Sequence, residues 1–445
     1  MFRLSLLLVS LLPTLFAASA STANAEGIEV RSQSATNRFP DGIQFRIFLA
    51  SDANITSVRF HFRILPDGVN ATARTQCTTG TVVDCSATVG STRANYMVPG
   101  AQLVYSWEVE DANGAKLVTP EATATYQDDR FNWESISEGN ITVYYYFGDV
   151  ESQRSVLRVA RETIDRISDL LNTQVNFPIK IWVYRSAAEM TPAVASRRGQ
   201  GPGTSVQTLG EVAASDTALV SRDTDFLNIV RHELAHIVTG AATRNHIAGI
   251  PTWVNEGIST FAQNRLLPDE EQALSLAIQR NRVLPITSLD ASARGSPGAV
   301  SLFYGQSGAL VAFLVNTHGP DKFGDFVAAL ANDTTDGALM KVYGFDQLGL
   351  ENAWRKSLGL PEVIVSQGGA SGSQPPPTLV PFGAGQQGQP TPPAGGRGGG
   401  QQSGAEGEDD SSGSDLVPIV AGVLALAALT AGAVYLQRRR SRPAA

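Results

Sequence analysis

Hydrophobic and polar residues alternate along the first quarter of the chain. In residues 43–48 and 58–64 apolar side chains occupy every second position, which is typical of strands that bury one face. Pro-Asp-Gly and Ala-Asn-Gly turn signals separate runs of this kind. We therefore predict an antiparallel β-sandwich over residues 26–127.

The spacing of apolar residues changes beyond this region. Residues 141–147 have the pattern of a strand, residues 152–171 carry apolar side chains at helical spacing, and residues 179–184 form a second apolar strand pattern. Helical patterns dominate from there to about Leu358. This mixture predicts an α+β domain over residues 128–365.

The C-terminal part divides into three segments. Residues 366–415 are rich in Gly, Gln, Pro and Ser and have almost no apolar side chains, so we expect a disordered stalk that acts as a linker. Residues 416–436 carry no charge, and at about 1.5 Å per residue they reach roughly 31 Å, the thickness of a hydrocarbon core. We predict a single transmembrane helix there, followed by a basic cytoplasmic tail at residues 437–445.

The N-terminus has the features of a secretory signal peptide. Arg3 precedes an apolar run, and Ala23-Asn24-Ala25 offers a cleavage site between small residues. We predict a signal peptide over residues 1–25, with an uncleaved N-terminal anchor as the alternative. With the C-terminal helix, this predicts a single-pass protein of the cell membrane whose N-terminal domains are extracytoplasmic.

Composition limits the partners of the chain. Its 42% hydrophobic content suits globular domains, and its formal net charge of -8 lacks the basic surplus that nucleic acid binding needs. The two cysteines, Cys77 and Cys85, could form a disulfide in an oxidising compartment or remain two half-buried thiols. The sequence does not indicate an oligomeric state.

Residues 225–240 contain the strongest chemical signal. Their apolar residues recur at helical spacing, so His232 and His236 lie one turn apart on one face and can bind the same metal ion. Glu233 lies about 100° around that helix, where it can act on water as the catalytic base. The alternative is an exposed helix with two incidental histidines.

Two residues compete for the position of third metal ligand, His246 and Glu256. His246 lies in a polar turn, whereas Glu256 follows turn signals that start a second helix. Thr239 and Ala242 stand where a metzincin would have Gly and His. That family is therefore excluded.

The second helix resembles a known one. Residues 251–262, Pro-Thr-Trp-Val-Asn-Glu-Gly-Ile-Ser-Thr-Phe-Ala, resemble the second zinc helix of gluzincin peptidases, and the resemblance places Glu256 on the family's ligand. Residues 304–315 resemble the downstream helix of the peptidase MA-like group within that clan. The resemblance covers roughly residues 131–358 and implies a zincin-like catalytic domain with Zn²⁺ as its cofactor.

The resemblance also has implications beyond the ligands. Tyr304 would steady the oxyanion, unless it is a tyrosine packed at a helix start. Residues 218–222 would form the edge strand that pairs with an extended substrate. Thermolysin-like gluzincins have an Asp that supports the first ligand His, but Thr260 occupies that position, so the partner of His232 is left open.

The leading functional prediction is a membrane-anchored zinc metallopeptidase that acts on peptide or protein substrates. The N-terminal sandwich resembles immunoglobulin-like modules, although it lacks the paired core cysteines and central Trp of antibody domains. One alternative is a cell-surface adhesion or scaffolding protein with a structural or vestigial metal site. Another is a metal-dependent hydrolase of non-peptide substrates.

Overall fold

The structure is a computed structural model. It describes residues 24–25, 27–65, 68–92, 96–194, 210–244, 249–290 and 296–364.

The N-terminal region consists of two antiparallel sheets. One has the strand order β1-β2-β3-β7-β6, and the other has the order β10-β8-β4-β5 with β9 paired to β8. Both sheets contribute to a single apolar core that includes Phe45, Phe60 and Trp107. The strands are β1 (Asn24–Ala25), β2 (Ile28–Arg38), β3 (Gly42–Ser51), β4 (Ile55–Ile64), β5 (Ala71–Ala73), β6 (Thr75–Cys77), β7 (Val82–Gly90), β8 (Gln102–Asp111), β9 (Lys116–Val118) and β10 (Ala122–Thr125).

A disulfide joins Cys77 to Cys85. The two residues face each other across β6 and β7, so their side chains point from adjacent strands toward one another. The alternative of two free thiols is therefore wrong. At the other end of this sheet, Ala25 pairs with Ile28 of β2, which places β1 inside the segment predicted to be a signal peptide.

The remainder of the described chain is an α+β region. Its sheet has the order β11-β12-β13-β15-β14, in which β12, β13 and β15 are parallel and the outer strands β11 and β14 are antiparallel to their neighbours. The strands are β11 (Glu134–Glu138), β12 (Ile141–Tyr145), β13 (Ile179–Tyr184), β14 (Gly210–Ala214) and β15 (Thr217–Ser221). The helices are α1 (Val150–Leu170), α2 (Ala187–Met190), α3 (Phe226–Thr243), α4 (Thr252–Ala262), α5 (Pro268–Gln279), α6 (Pro297–His318), α7 (Pro320–Ala329), α8 (Thr335–Tyr343) and α9 (Gln347–Ser357).

The expected order of antiparallel sheets followed by an α+β region is confirmed. One strand assignment was wrong, because residues 218–222 do not form an edge. The strand there, β15, lies between β13 and β14, and the outer strand next to it is β14. β14 consists of Gly-Glu-Val-Ala-Ala, which is too short and too rich in small residues to show an alternating pattern.

The two faces of the α+β sheet pack against different layers. Successive residues of β15 point to opposite faces of this sheet. Ala218 and Val220 belong to the core beneath the helices, and Leu219 belongs to the core of the N-terminal sheets. Trp182 of β13 joins Leu219 on that second face. The N-terminal sheets therefore form the back layer of the α+β sheet.

Helix α6 runs through the helical layer. It is the one helix in the described part of the chain with the length and apolar composition of a membrane span, but half of its most apolar stretch is buried within the fold. A Cβ atom added at Gly257 of α4 would lie 2.6 Å from the carbonyl oxygen of Ser307 in α6, so the two backbones approach closely. We conclude that α6 is a core helix. The predicted stalk and transmembrane helix lie outside the described residues.

Candidate metal centre

Helix α3 places both histidines at one site. It is buried on most of its circumference, as expected of a helix enclosed by other elements. It begins after Asp225, whose φ of 60° turns the chain sharply and whose carboxylate pairs with Arg265. Within the helix, His232 and His236 lie four residues apart, and their Nε2 atoms are 3.2 Å from each other.

Helix α4 adds the carboxylate. Pro251 precedes its first turn, where the missing N–H of proline costs no helical hydrogen bond. Glu256 follows in the second turn, and its Oε2 lies 3.4 Å from Nε2 of His232 and 3.3 Å from Nε2 of His236. The sequence predicted that His232, His236 and Glu256 form one metal site, and in the structure their ligand atoms all lie within 4.8 Å of one another.

The spacing of the three atoms can be compared with that of zinc ligands. Donors at about 2.0–2.1 Å from a zinc ion in a tetrahedron lie about 3.3 Å from one another. The three distances of 3.2, 3.3 and 3.4 Å agree with this value. Oε2 of Glu256 is also buried without a hydrogen-bond donor among the described residues. Two imidazoles and one carboxylate thus fit Zn²⁺ with a fourth position left for water or substrate.

Each imidazole has a partner at its other nitrogen. Nδ1 of His236 lies 3.1 Å from Oδ1 of Asn255, and Nδ1 of His232 lies 3.0 Å from Nε2 of Gln263. Sequence reasoning missed both partners. Asn255 could have been found, because it adjoins Glu256 on α4, but Gln263 follows the end of the helix and no pattern marks it.

Glu233 lies beside the ligands without joining them. It is 7% exposed and accepts a hydrogen bond from the backbone N–H of Val212 in β14. A Cβ atom added at Gly210 would come within 2.6 Å of its Oε1, so β14 passes directly over the carboxylate. Burial raises the pKa of Glu233 to about 7.

Glu256 differs electrostatically from Glu233. Burial on its own would raise the pKa of Glu256, but the His232 and His236 imidazoles, 3.4 and 3.3 Å from its Oε2, outweigh burial and hold this pKa well below its usual range. The Glu256 carboxylate is therefore ionised, as a metal ligand must be.

A cavity of about 540 Å³ opens above the three ligands. The outer strand β14 forms one wall through Gly210, Glu211 and Val212, and Tyr304 contributes to another. Tyr304 is not at a helix start, because about two turns of α6 precede it. Its ring centroid is 5.9 Å from that of His232, and burial raises the pKa of its hydroxyl above the usual range.

His246, the rival third ligand, lies outside the described residues. Its exclusion from the metal centre stays a prediction.

Comparison with protein families identifies the segment that carries this site. Residues 159–359 match the family model of the Peptidase MA superfamily. This segment belongs to that superfamily. It contains α3, α4 and α6, and therefore the three candidate ligands, Glu233 and Tyr304.

Solved structures give a weaker likeness. An M1 zinc metallopeptidase from Deinococcus radiodurans shares 12% identity over 76% of this chain and 96% of its own, with a TM-score of 0.32. A two-domain M1 zinc metallopeptidase mutant bound to L-arginine shares 11% identity over 77% and 96%, with a TM-score of 0.34. A solved structure of BhCBM56 shares 12% identity over 23% of this chain and 97% of its own, with a TM-score of 0.16. No curated protein sequence matches the chain.

The MA-superfamily match and the geometry of the ligands together confirm two predictions. The chain is a zinc-dependent metallopeptidase, and its cofactor is Zn²⁺.

Proposed function

We propose that the chain is a membrane-anchored, extracytoplasmic peptidase in which His232, His236 and Glu256 hold zinc and Glu233 is the catalytic base. The observation that carries the proposal is the convergence of these four side chains on one cavity beneath an outer strand. Zinc bound there supplies Lewis acidity, which polarises a carbonyl group and makes water more acidic.

Glu233 moves the proton in this reaction. Its carboxylate takes a proton from the water that attacks the peptide carbonyl and passes it to the amine that leaves, so the peptide bond becomes a carboxylate and an amine. A pKa raised by burial to about 7 suits this double task, because a group with a pKa near neutrality can both accept and return a proton. The hydrogen bond from Val212 holds the carboxylate in place.

Tyr304 and β14 act on the substrate. A hydroxyl with a raised pKa keeps its proton at neutral pH, so Tyr304 can donate a hydrogen bond to the oxyanion that forms from the carbonyl. The strand β14, the outermost of the sheet in the described part of the chain, faces the same cavity through residues 210–212, where an extended peptide would lie alongside it. Glu211 also lines this wall of the cavity.

A combined metal and cleavage assay tests the proposal. The full chain, purified in detergent, is analysed for zinc and incubated with a library of synthetic peptides. We expect about one zinc ion per chain and cleavage that a chelator stops, with both lost in Glu256→Ala and both retained in His246→Ala. A wild-type protein that binds zinc and cleaves no peptide would instead favour the adhesion or scaffolding alternative.

The membrane topology needs a separate test. The proposal is supported by the signal-like residues 1–25, the apolar residues 416–436 and the disulfide between Cys77 and Cys85, which suits an oxidising compartment. Protease added to intact cells should release a large soluble fragment by cutting within residues 366–415. Protection of the entire chain would refute this topology.

A further inference from the structure

The two ligand imidazoles are supported differently. His236 is met by Asn255, which lies next to Glu256 on the same helix. His232 lacks the carboxylate that thermolysin-like gluzincins provide, since Thr260 occupies that position. The side chain of Thr260 faces α6 instead, because a Cβ atom added at Gly308 would lie 2.6 Å from its Cγ2. Its Oγ1 is buried and has no hydrogen-bond partner among the described residues.

Gln263 reaches His232 from the chain that leaves α4. Its backbone N–H bonds to the carbonyl of Thr260 at 3.2 Å and closes the helix, after which an extended conformation turns the side chain back toward α3. The side chain is enclosed, with the residue 5% exposed. Its Nε2 lies 3.0 Å from Nδ1 of His232.

The neighbours of Gln263 fix it in this place. The N–H of Asn264 donates to Oδ1 of Asn228 at 3.3 Å, and Asn228 lies on α3 four residues before His232. On the other side, the guanidinium of Arg166 in α1 donates to the carbonyl of Ala262. The segment is thus tied to both α1 and α3.

An amide suits the tautomer that a ligand imidazole needs. When Nε2 of His232 binds a metal, its Nδ1 carries the proton and requires an acceptor. Oε1 of Gln263 is buried and has no hydrogen-bond donor among the described residues. Turning the amide by 180° exchanges Nε2 for Oε1 and provides that acceptor without moving the backbone.

We propose that Gln263 takes the place of the missing carboxylate and is the positioning residue for the His232 imidazole. This inference rests on the zinc site proposed above. It assigns the partner of the first histidine to a residue seven positions after Glu256, outside the helix that carries the ligand.

Metal affinity and a spectroscopic signal test the proposal in the full-length protein. Zinc affinity is measured by competition with a chromophoric chelator, and the ligand field is followed by the visible absorption of the Co²⁺-substituted protein. Gln263→Leu keeps the approximate shape and removes the acceptor, so we expect zinc affinity to fall about 10–100-fold and the Co²⁺ spectrum to change. Gln263→Glu supplies a carboxylate acceptor and should restore both.

Thr260→Val is the matched control, because it removes a hydroxyl that touches no imidazole. It should keep wild-type zinc affinity and the wild-type spectrum. Wild-type affinity in Gln263→Leu, or no rescue by Gln263→Glu, would overturn the proposal. If Gln263→Leu fails to fold, Gln263→Asn is used instead, because its shorter side chain moves the amide away from His232 by one methylene. Wild-type zinc affinity in Gln263→Asn would also overturn the proposal. Failure of the wild type itself to bind zinc would refute the proposed function, whereas failure of the variants alone refutes only the role of Gln263.

Discussion

Two glutamates in one site acquire opposite properties from their surroundings. Glu233 is buried against β14 with one backbone donor, so its carboxylate holds a proton up to about pH 7. Glu256 faces two imidazoles that stabilise its charge. The same side chain therefore serves as a proton carrier in one position and as an anionic ligand in the other.

Glu233→Gln should abolish turnover and leave zinc bound. The amide preserves shape and the hydrogen bond from Val212 but cannot accept a proton from water, so we expect kcat to fall by at least about 10²–10⁴-fold. Steady-state cleavage and metal content are measured on the same preparation. Glu211→Gln, on the neighbouring wall, controls for the loss of charge. Near-wild-type activity in Glu233→Gln would exclude it as the base.

Tyr304→Phe should lower kcat and leave zinc content unchanged. Removing an oxyanion donor typically costs about 10²–10³-fold in kcat, and KM should stay close to its wild-type value because the interaction forms only in the transition state. Peptide cleavage under saturating and subsaturating conditions separates the two constants. An unchanged kcat would leave Tyr304 as a packing residue of the cavity wall.

Sequence patterns were sufficient for the ligands but not for their supports. His232 and His236 have the spacing that puts two side chains on one face of α3, and Glu256 was placed on α4 by the turn signals before it and by the resemblance of residues 251–262 to a zinc helix. No such pattern marks Gln263, because its position depends on how the chain leaves α4 and on the bonds that tie that exit to neighbouring helices. Contacts made by irregular backbone leave no periodic trace in a sequence.

At the scale of elements, the difference between periodic patterns and contacts that leave no pattern explains one wrong prediction. Apolar runs predicted β12, β13 and α1 to within a few residues. The outer strand β14 escaped detection because five small or mixed residues do not reveal a strand, and β15 was taken for the edge because the resemblance to zincins implied an edge strand at residues 218–222. Strand order depends on pairing across the sheet, and pairing is invisible in a single sequence.

Helix α5 carries a buried acid whose ionisation should destabilise the fold. Glu270 is 6% exposed, and burial raises its pKa from 4.5 to about 7. Between these values the unfolded chain has released a proton that the folded protein retains, so stability falls as pH rises. Glu270→Gln keeps an acceptor for the N–H of Leu267 and should add up to about 3 kcal/mol at pH 8 but little at pH 4.

Urea unfolding of the two proteins at both pH values measures this difference. The adjacent Glu271 is exposed, and Glu271→Gln serves as the control that should change stability little at either pH. An equal gain for Glu270→Gln at pH 4 and pH 8 would contradict the proposed linkage.

On the scale of the whole molecule, aromatic residues join the sandwich to the α+β sheet. On the face of the α+β sheet that packs against the sandwich, the ring of Trp182 stacks on Tyr144 with centroids 4.3 Å apart and meets the edge of Trp133 at 4.7 Å. A Cβ atom added at Gly100, in the loop before β8, would lie 2.8 Å from the Trp182 ring. The hydroxyl of Tyr96 also donates to the carbonyl of Ala193 across the boundary at 2.6 Å.

The two regions should therefore unfold together. Trp182→Ala should lower the free energy of unfolding by about 3–5 kcal/mol and shift a single unfolding transition that both regions share. Circular dichroism monitors the unfolding of the sheets, and zinc release monitors the metal centre. Val118→Ala, at a residue 63% exposed, should change stability by less than about 0.5 kcal/mol. Two separate transitions in the wild type would show instead that the sandwich is an independent module.

The shared core also sets an order of events during synthesis. The N-terminal sheets leave the ribosome first, so the residues that pack against Trp182 and Leu219 are synthesised before β13 and β15. Helices α3 and α4 follow, and only their meeting brings His232 and Glu256 together. A fragment that ends before α4 would therefore contain His232, Glu233 and His236 but neither Glu256 nor Tyr304, and it would lack the helices α4–α9 that complete the core around the metal centre.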